Sequence, residues 1–256
     1  TSRVSRRFDF EDLARLPSLP RAHARSSPLA MSVTFHALPV SANSACTRCV
    51  LKCAGIDHVE ENAYGKTRSP EYVAKFVTNL APAIEHDGAC VSETNAIARY
   101  LCAAFPEQAG KFYPGDAKER AKVDMIADYA GASVYNLIAT AMYPDVGFGF
   151  GGPGAVGAVE GTEPFVPAAK AAAAAQLLEL LEQKFANDWL KDSPFLAGDK
   201  PTIADFRFGP VLLFARVAVI LPEKIEQYLA RLDKDVPGYA DAVEPARAFV
   251  ADKIKK

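Results

Sequence analysis

The residues of this chain with the clearest chemical possibilities are a proline at the mouth of a short apolar run and an acid–hydroxyl pair ahead of a helical one. Both lie in NLAPAIEHDGACVSETNAIARYL, residues 79–101. Proline has no N–H to give to a ladder, so Pro82 belongs at the start of a strand or outside one. A cis bond before it would bend the chain and turn the N–H and C=O of Ala81 outward, a short edge for an extended ligand; such bonds are rare enough to be retained features. Glu93 and Thr94 stand where the next helix opens. There, unpaired N–H groups and the positive end of the helix dipole attract a carboxylate. Thr94 would bind that carboxylate through its hydroxyl and N–H, while Glu93 lies close enough to meet an ammonium. An α-amino-acid end carries both charges side by side. Thr94 as a simple N-cap is the alternative, and spacing alone leaves both open.

Other chemistry is less well supported. CTRC, Cys46 to Cys49, has redox spacing, but with Cys53 the three run i, i+3, i+7 along one helix face, as buried small apolar residues do. His23, His36, His58 and His86 have no ligand spacing, so no metal site is expected. The Gly-rich stretch 144–164 lacks Lys-Ser/Thr and follows a helix, so it reads as a loop between helices and not a phosphate cradle. A net charge of −2 from mixed acids and bases gives no basic stripe for nucleic acid. The longest apolar stretch, GPVLLFARVAVIL (209–221), is short and carries Arg216, so no membrane span is expected. Five cysteines, with none beyond Cys102, do not make a secreted disulfide framework. A reducing compartment, the cytoplasm, is the expectation.

The elements that must position these residues follow from local signals. VTFHAL reads as a strand, PVSANS as a turn, and an apolar-periodic helix then ends at Gly55. HVEENA is a short strand, and Ser69-Pro70 opens a helix as N-cap and first residue. PAIEH and ACVSE flank Asp87-Gly88, a two-residue hairpin signal, and ETNAIARYLCAAF closes the unit as a helix. The order is βαβαββα over residues 31–105. A polar connection with two prolines, 106–114, leads to an all-helical part, 115–256. There DAKERAKVDMIADYAGASVYNLIATAMY is a long amphipathic helix, with Met125, Tyr129, Val134, Leu137 and Ile138 near helical spacing. Residues 1–30 hold six Arg, no Lys, and scattered Ser and Pro. They read either as an organellar transit segment, against which Asp9, Glu11 and Asp12 count, or as sequence ahead of a natural start at Met31.

Residues 32–105 resemble the thioredoxin-like domain of the cytosolic glutathione transferases. APAIEHDGACVSETNAIARYL is similar to that family's cis-proline strand, hairpin and E-S/T-x-A-I-x-x-Y-L helix. FLAGDKPTIADFRFGPVLL resembles its G-D-x-x-T-x-A-D signature through Gly198, Asp199, Thr202 and Asp205. Physically that signature is a capping box, Thr202 at N-cap and Asp205 returning the bond, worth about 1 kcal/mol to its helix and structural in role. The fold class implied is α/β plus all-α, a thioredoxin-like domain followed by a helical one. The resemblance also implies glutathione as co-substrate with no cofactor, a hydrophobic electrophile, and a homodimer whose face includes TNAIA. Ala81, Pro82, Glu93 and Thr94 would then hold the tripeptide, with Lys66, Arg68 and Lys75 the candidates for its glycine carboxylate, a choice the sequence leaves open.

In that family the residue that activates the thiol sits between the first strand and first helix. Ser41, fourteen residues before Gly55, is similar in placing to the serine-type (theta- and phi-like) enzymes, with Ser44 the runner-up. No Tyr lies between Ser32 and Ile56, which excludes the tyrosine type, and Ser-Ala-Asn departs from the zeta-type Ser-Ser-Cys. Ser41 stands where thioredoxin-like cysteines act, with Cys46 and Cys49 beyond it. The electrophile wall is expected from Tyr135, Met142, Phe148 and Phe150. Leu80-Ala81 replaces the family's usual Gln/Lys-Val, which implies weaker glutathione binding. The implied activity is conjugation of the glutathione thiolate, or a related glutathione-dependent peroxidase reaction. The rivals are a scaffold similar to the transferase-like domain of elongation factor 1 gamma, whose activating position lacks Ser, and an idle assembly subunit.

Overall fold

A computed structural model describes residues 32–143 and 167–254. Four strands form one mixed sheet: β1 (Val33–Ala37), β2 (His58–Asn62), β3 (Ala83–His86) and β4 (Ala89–Ser92), in the order β2-β1-β3-β4. β1 pairs parallel with β2 and antiparallel with β3, and β3 pairs antiparallel with β4. Strand alternation sends neighbouring residues to opposite faces. Phe35 and Ile84 enter a large core beneath α1 (Ala42–Ala54) and α3 (Thr94–Ala104). On the other face Ala83 packs with Tyr72 and Phe76 from the α2 region (Pro70–Lys75), and His36 meets both rings edge-on.

The punctuation is local, and it falls where the chain signals it. Gly55 ends α1 in the left-handed region (φ 66°), its N–H closing on Leu51 and Lys52 carbonyls. Ser69 caps α2 through Tyr72 N–H, with Pro70 at the first helical position. Asp87 (φ 47°) and Gly88 (φ 77°) make the tight turn of the β3-β4 hairpin.

The connection expected to be a polar linker is structured instead. Pro106 opens a short helix, α4 (Pro106–Ala109), followed by a 3₁₀ turn, Gly110–Phe112, and Ala109 and Phe112 bury themselves in the core. The next helix runs as α5 (Ala117–Tyr129), a π-turn (Ala130–Val134) and α6 (Tyr135–Met142). Met125, expected on its packing face, is 56% exposed. The buried stripe is Val123, Ile126, Ala127, Ala130, Val134 and Ile138, because the small alanines permit close helix approach.

The helical part continues with α7 (Pro167–Leu180), a π-helical stretch to Trp189, α8 (Ile203–Ala215), α9 (Glu223–Asp235) and α10 (Tyr239–Ile254). Every residue of α8 is buried, so it forms the axis on which the other helices pack. The capping box is present: Asp205 accepts from Thr202 N–H (2.8 Å) and hydroxyl (3.1 Å), from Leu196 N–H (2.9 Å) and from Tyr228 hydroxyl (2.9 Å). Among the described residues no helix is long and apolar enough to cross a membrane.

Candidate active site

The sheet register gathers the expected site residues at one edge. Ala37 stands opposite Asn62, His36 opposite Ala83, and Ala83 opposite Ser92. The segments just beyond these pairs therefore leave the sheet side by side: Leu38–Ser41, Ala63–Lys66, Ala81-Pro82 and Glu93-Thr94. Residues distant in sequence share one rim.

Ser41 is the N-cap of α1, with extended backbone (φ −74°, ψ 135°) and a half-buried side chain. Its Oγ accepts from Ser44 N–H across 3.5 Å, long for such a bond, and this leaves its O–H proton free to donate. Ser44 is different. It is 0% exposed and its Oγ accepts from Leu38 N–H at 3.0 Å, which ties down the loop before α1. Of the two candidate hydroxyls, Ser41 is the more accessible. Cys46, Cys49 and Cys53 are buried free thiols, as their spacing predicts. Burial raises all three above the ordinary thiol range, Cys53 to about 12, so none is poised as a thiolate.

The Ala81-Pro82 peptide is cis, as expected from the position of Pro82. Tyr72 hydroxyl holds the preceding turn by donating to Leu80 carbonyl at 2.7 Å, and burial pushes that phenol up to about 12. Ala81 lies half-buried against the Tyr72–Phe76 cluster.

At α3 Thr94 is not the N-cap. The N-cap is Glu93, in the left-handed half of backbone space (φ 73°, ψ 120°), and its side chain makes no capping bond to the helix. Thr94 is the first helical residue, half-buried, and Glu93 is exposed. The N–H groups of Thr94, Asn95 and Ala96 precede the first intrahelical bond, from Ile97 N–H to Glu93 carbonyl. A helix start with unpaired N–H groups is a place where an anion would be favoured, and Glu93 beside it has a positive φ that is uncommon for a non-glycine residue.

Behind this helix start lies a network that the sequence reading missed. Asn95 Nδ2 donates to Ala127 carbonyl (3.0 Å) and Asp128 (2.7 Å). Arg99 reaches Asp124 at 2.7 Å and both oxygens of Asp128 at 2.9 Å. Asn95 and Arg99 are one helical turn apart, and so are Asp124 and Asp128; that paired spacing is the signal that was available.

The two halves match known families separately. Residues 31–103 match the glutathione S-transferase N-terminal domain and residues 167–241 the glutathione S-transferase C-terminal domain, together more than half of the chain. By both its domains, the chain belongs to the glutathione S-transferase family. Solved structures share the fold. A delta-class glutathione transferase from Nilaparvata lugens is 23% identical, with TM-score 0.70, over 87% of this chain and 98% of that one. A Bombyx mori glutathione transferase is 18% identical with TM-score 0.72, over the same shares. A theta-class enzyme from Xanthomonas axonopodis pv. citri, solved with glutathione bound, is 24% identical with TM-score 0.65, over 83% of this chain and 97% of that one.

In this glutathione S-transferase fold the basic candidates divide. Lys75 is spent on Glu85, at 3.0 and 2.9 Å, whereas Lys66 and Arg68 are exposed at the rim side of α2. The wall expected for an electrophile is only partly as read. Tyr135 is half-buried, its hydroxyl 2.7 Å from Tyr143 hydroxyl, and burial with that neighbour drives its pKa far up. Met142 is corrected: at 2% exposure it packs into the core and presents no surface. Phe148 and Phe150 lie outside the described residues.

Proposed function

We propose that this protein binds glutathione along the shared rim, holds its sulfur as a thiolate with Ser41, and transfers that sulfur to small electrophiles. The single observation that carries the reading is the convergence of a serine hydroxyl with a free proton and an uncapped helix N-terminus at one sheet edge. The γ-glutamyl carboxylate takes the Thr94 seat and its ammonium pairs with exposed Glu93. The main chain of Ala81 serves the peptide part, and Lys66 takes the glycine carboxylate.

The chemistry follows from charge. A free thiol titrates near 8.5, so lowering it by about two units needs about 2.7 kcal/mol in favour of the anion. A charge-assisted hydrogen bond from Ser41 gives about 1.5–3 kcal/mol, and the N-terminal end of α1 adds about 0.3–1. These suffice without a base to deprotonate serine. The thiol proton leaves to solvent, the sulfur pair forms a C–S bond at the electrophilic carbon, and the leaving group departs with its bonding pair.

Glutathione titration of the wild-type protein by calorimetry separates this reading from a scaffold before any electrophile is known. Saturable binding, followed by loss of a chloronitrobenzene probe in the presence of glutathione, is the expected outcome. No binding at millimolar glutathione would return the chain to the scaffold or idle-subunit reading.

A further inference from the structure

Arg207 is buried to 6% exposure within α8, and its side chain meets no carboxylate among the described residues. Its Nη1 donates to Cys46 Sγ at 3.6 Å, its guanidinium stands 5.8 Å from the Tyr135 ring centre, and its Nε has no partner among the described residues. Nearby acids are committed elsewhere: Asp205 to Thr202, Leu196 and Tyr228, and Asp128 to Asn95 and Arg99. The π-turn makes room for it. A Cβ on Gly131 would stand 3.2 Å from Arg207 Nη2 and 3.8 Å from Asn95 Nδ2, so the guanidinium and the α3 N-terminal turn face each other across that glycine. Leaving a buried charge without a partner costs several kcal/mol, and an anion held nearby relieves that cost.

We propose that Arg207 is a counter-charge built beneath the glutathione groove, which favours the anionic over the neutral form of the bound sulfur from inside the junction of α1, α3, α6 and α8. This rests on the reading that glutathione binds with its sulfur at Ser41. Cys46 follows Ser41 by about 7.5 Å along the α1 axis, which puts the guanidinium on the order of 10 Å from that sulfur. At that separation in a protein-like dielectric, a unit charge shifts a thiol by about one pKa unit, and burial spares it most salt screening. The groups facing Arg207 are Cys46 from α1, Tyr135 from α6 with Tyr143 behind it, and Asn95 from α3 with Asp128 and Arg99 behind that. Cys46, the nearer sulfur, stays a thiol because burial outweighs the arginine.

Arg207 acts through the field and touches no reacting atom, so the test must separate charge from packing. Ultraviolet thiolate absorbance against pH, as the difference between glutathione and S-methylglutathione complexes, would be measured for wild type, Arg207→Met, Arg207→Gln and Arg207→Lys. The expected result is a thiol pKa raised by about one unit in Arg207→Met and Arg207→Gln, and restored by at least half in Arg207→Lys. Two neutral replacements of different shape keep the test alive if one fails to fold. A pKa unmoved in a neutral variant that still binds glutathione would overturn the assignment, and so would a rise that lysine does not repair. Those results leave the proposed function standing; failure of both glutathione and its S-methyl analogue to bind wild type would remove both.

Discussion

A serine hydroxyl at a helix start can cap the helix and steady an anion at once, because it accepts through a lone pair and donates through its proton. Ser41 does the first weakly, at 3.5 Å, and keeps the second capacity, whereas Ser44 spends its oxygen on Leu38 and is sealed in the core. Thr94 separates binding from stability in the same way. Since it is not the N-cap, Thr94→Ala should leave the free energy of unfolding within about 0.5 kcal/mol of wild type. It should weaken glutathione binding about tenfold or more, through loss of a bond to a charged group. Calorimetry giving equal affinities would move the carboxylate seat elsewhere. Much at this scale was legible from side-chain chemistry alone. The left-handed backbone of Glu93 and the burial of Arg207 were not, since both are imposed by segments distant in sequence.

Elements whose ends carry their own chemistry were read correctly: Ser69-Pro70 before α2, Gly55 after α1, Asp87-Gly88 between β3 and β4, and Thr202 with Asp205 before α8. The faces of long helices were harder. Met125 has the size of a core residue but points outward, while Ala127 and Ala130 carry the contact. The stretch 106–112 looked polar, yet Ala109 and Phe112 are the residues that decide its packing. Asp205 anchors α8, and Asp205→Ala strips four acceptor bonds from buried donors; it should cost at least about 3 kcal/mol in denaturant unfolding. A loss under 1 kcal/mol would show the box to be dispensable. In the hairpin, Lys75, and to a lesser degree His36, hold the Glu85 carboxyl below its ordinary 4.5. A depressed carboxyl stabilises the fold above its unfolded pKa, and that contribution is lost as pH falls through the folded value. Thermal unfolding of wild type should therefore drop more steeply below pH 4.5 than that of Glu85→Gln. The difference should stay under about 1 kcal/mol for so exposed a pair. Parallel curves would contradict it.

Across the molecule, the thioredoxin-like sheet and the helical part share one core, in which Phe35, Cys49 and Leu51 pack in the same cluster as Phe208, Leu212 and Val243. Asn95 and Arg99 fasten the start of α3 to α5 from the side, so its geometry depends on contacts between the sheet part and the helical part. That dependence explains why two short signatures were enough for the architecture but not for the wall opposite Ser41. Met142 faces inward because of long-range packing that its neighbours in sequence do not encode. On the proposed function, the chemistry converges on the state of one sulfur atom. The decisive measurement is the thiol pKa of glutathione bound to wild type and to Ser41→Ala, read by thiolate absorbance. A value about two units below that of free glutathione is expected in wild type, rising by at least one unit in the variant with affinity little changed. An identical pKa in both proteins would contradict it.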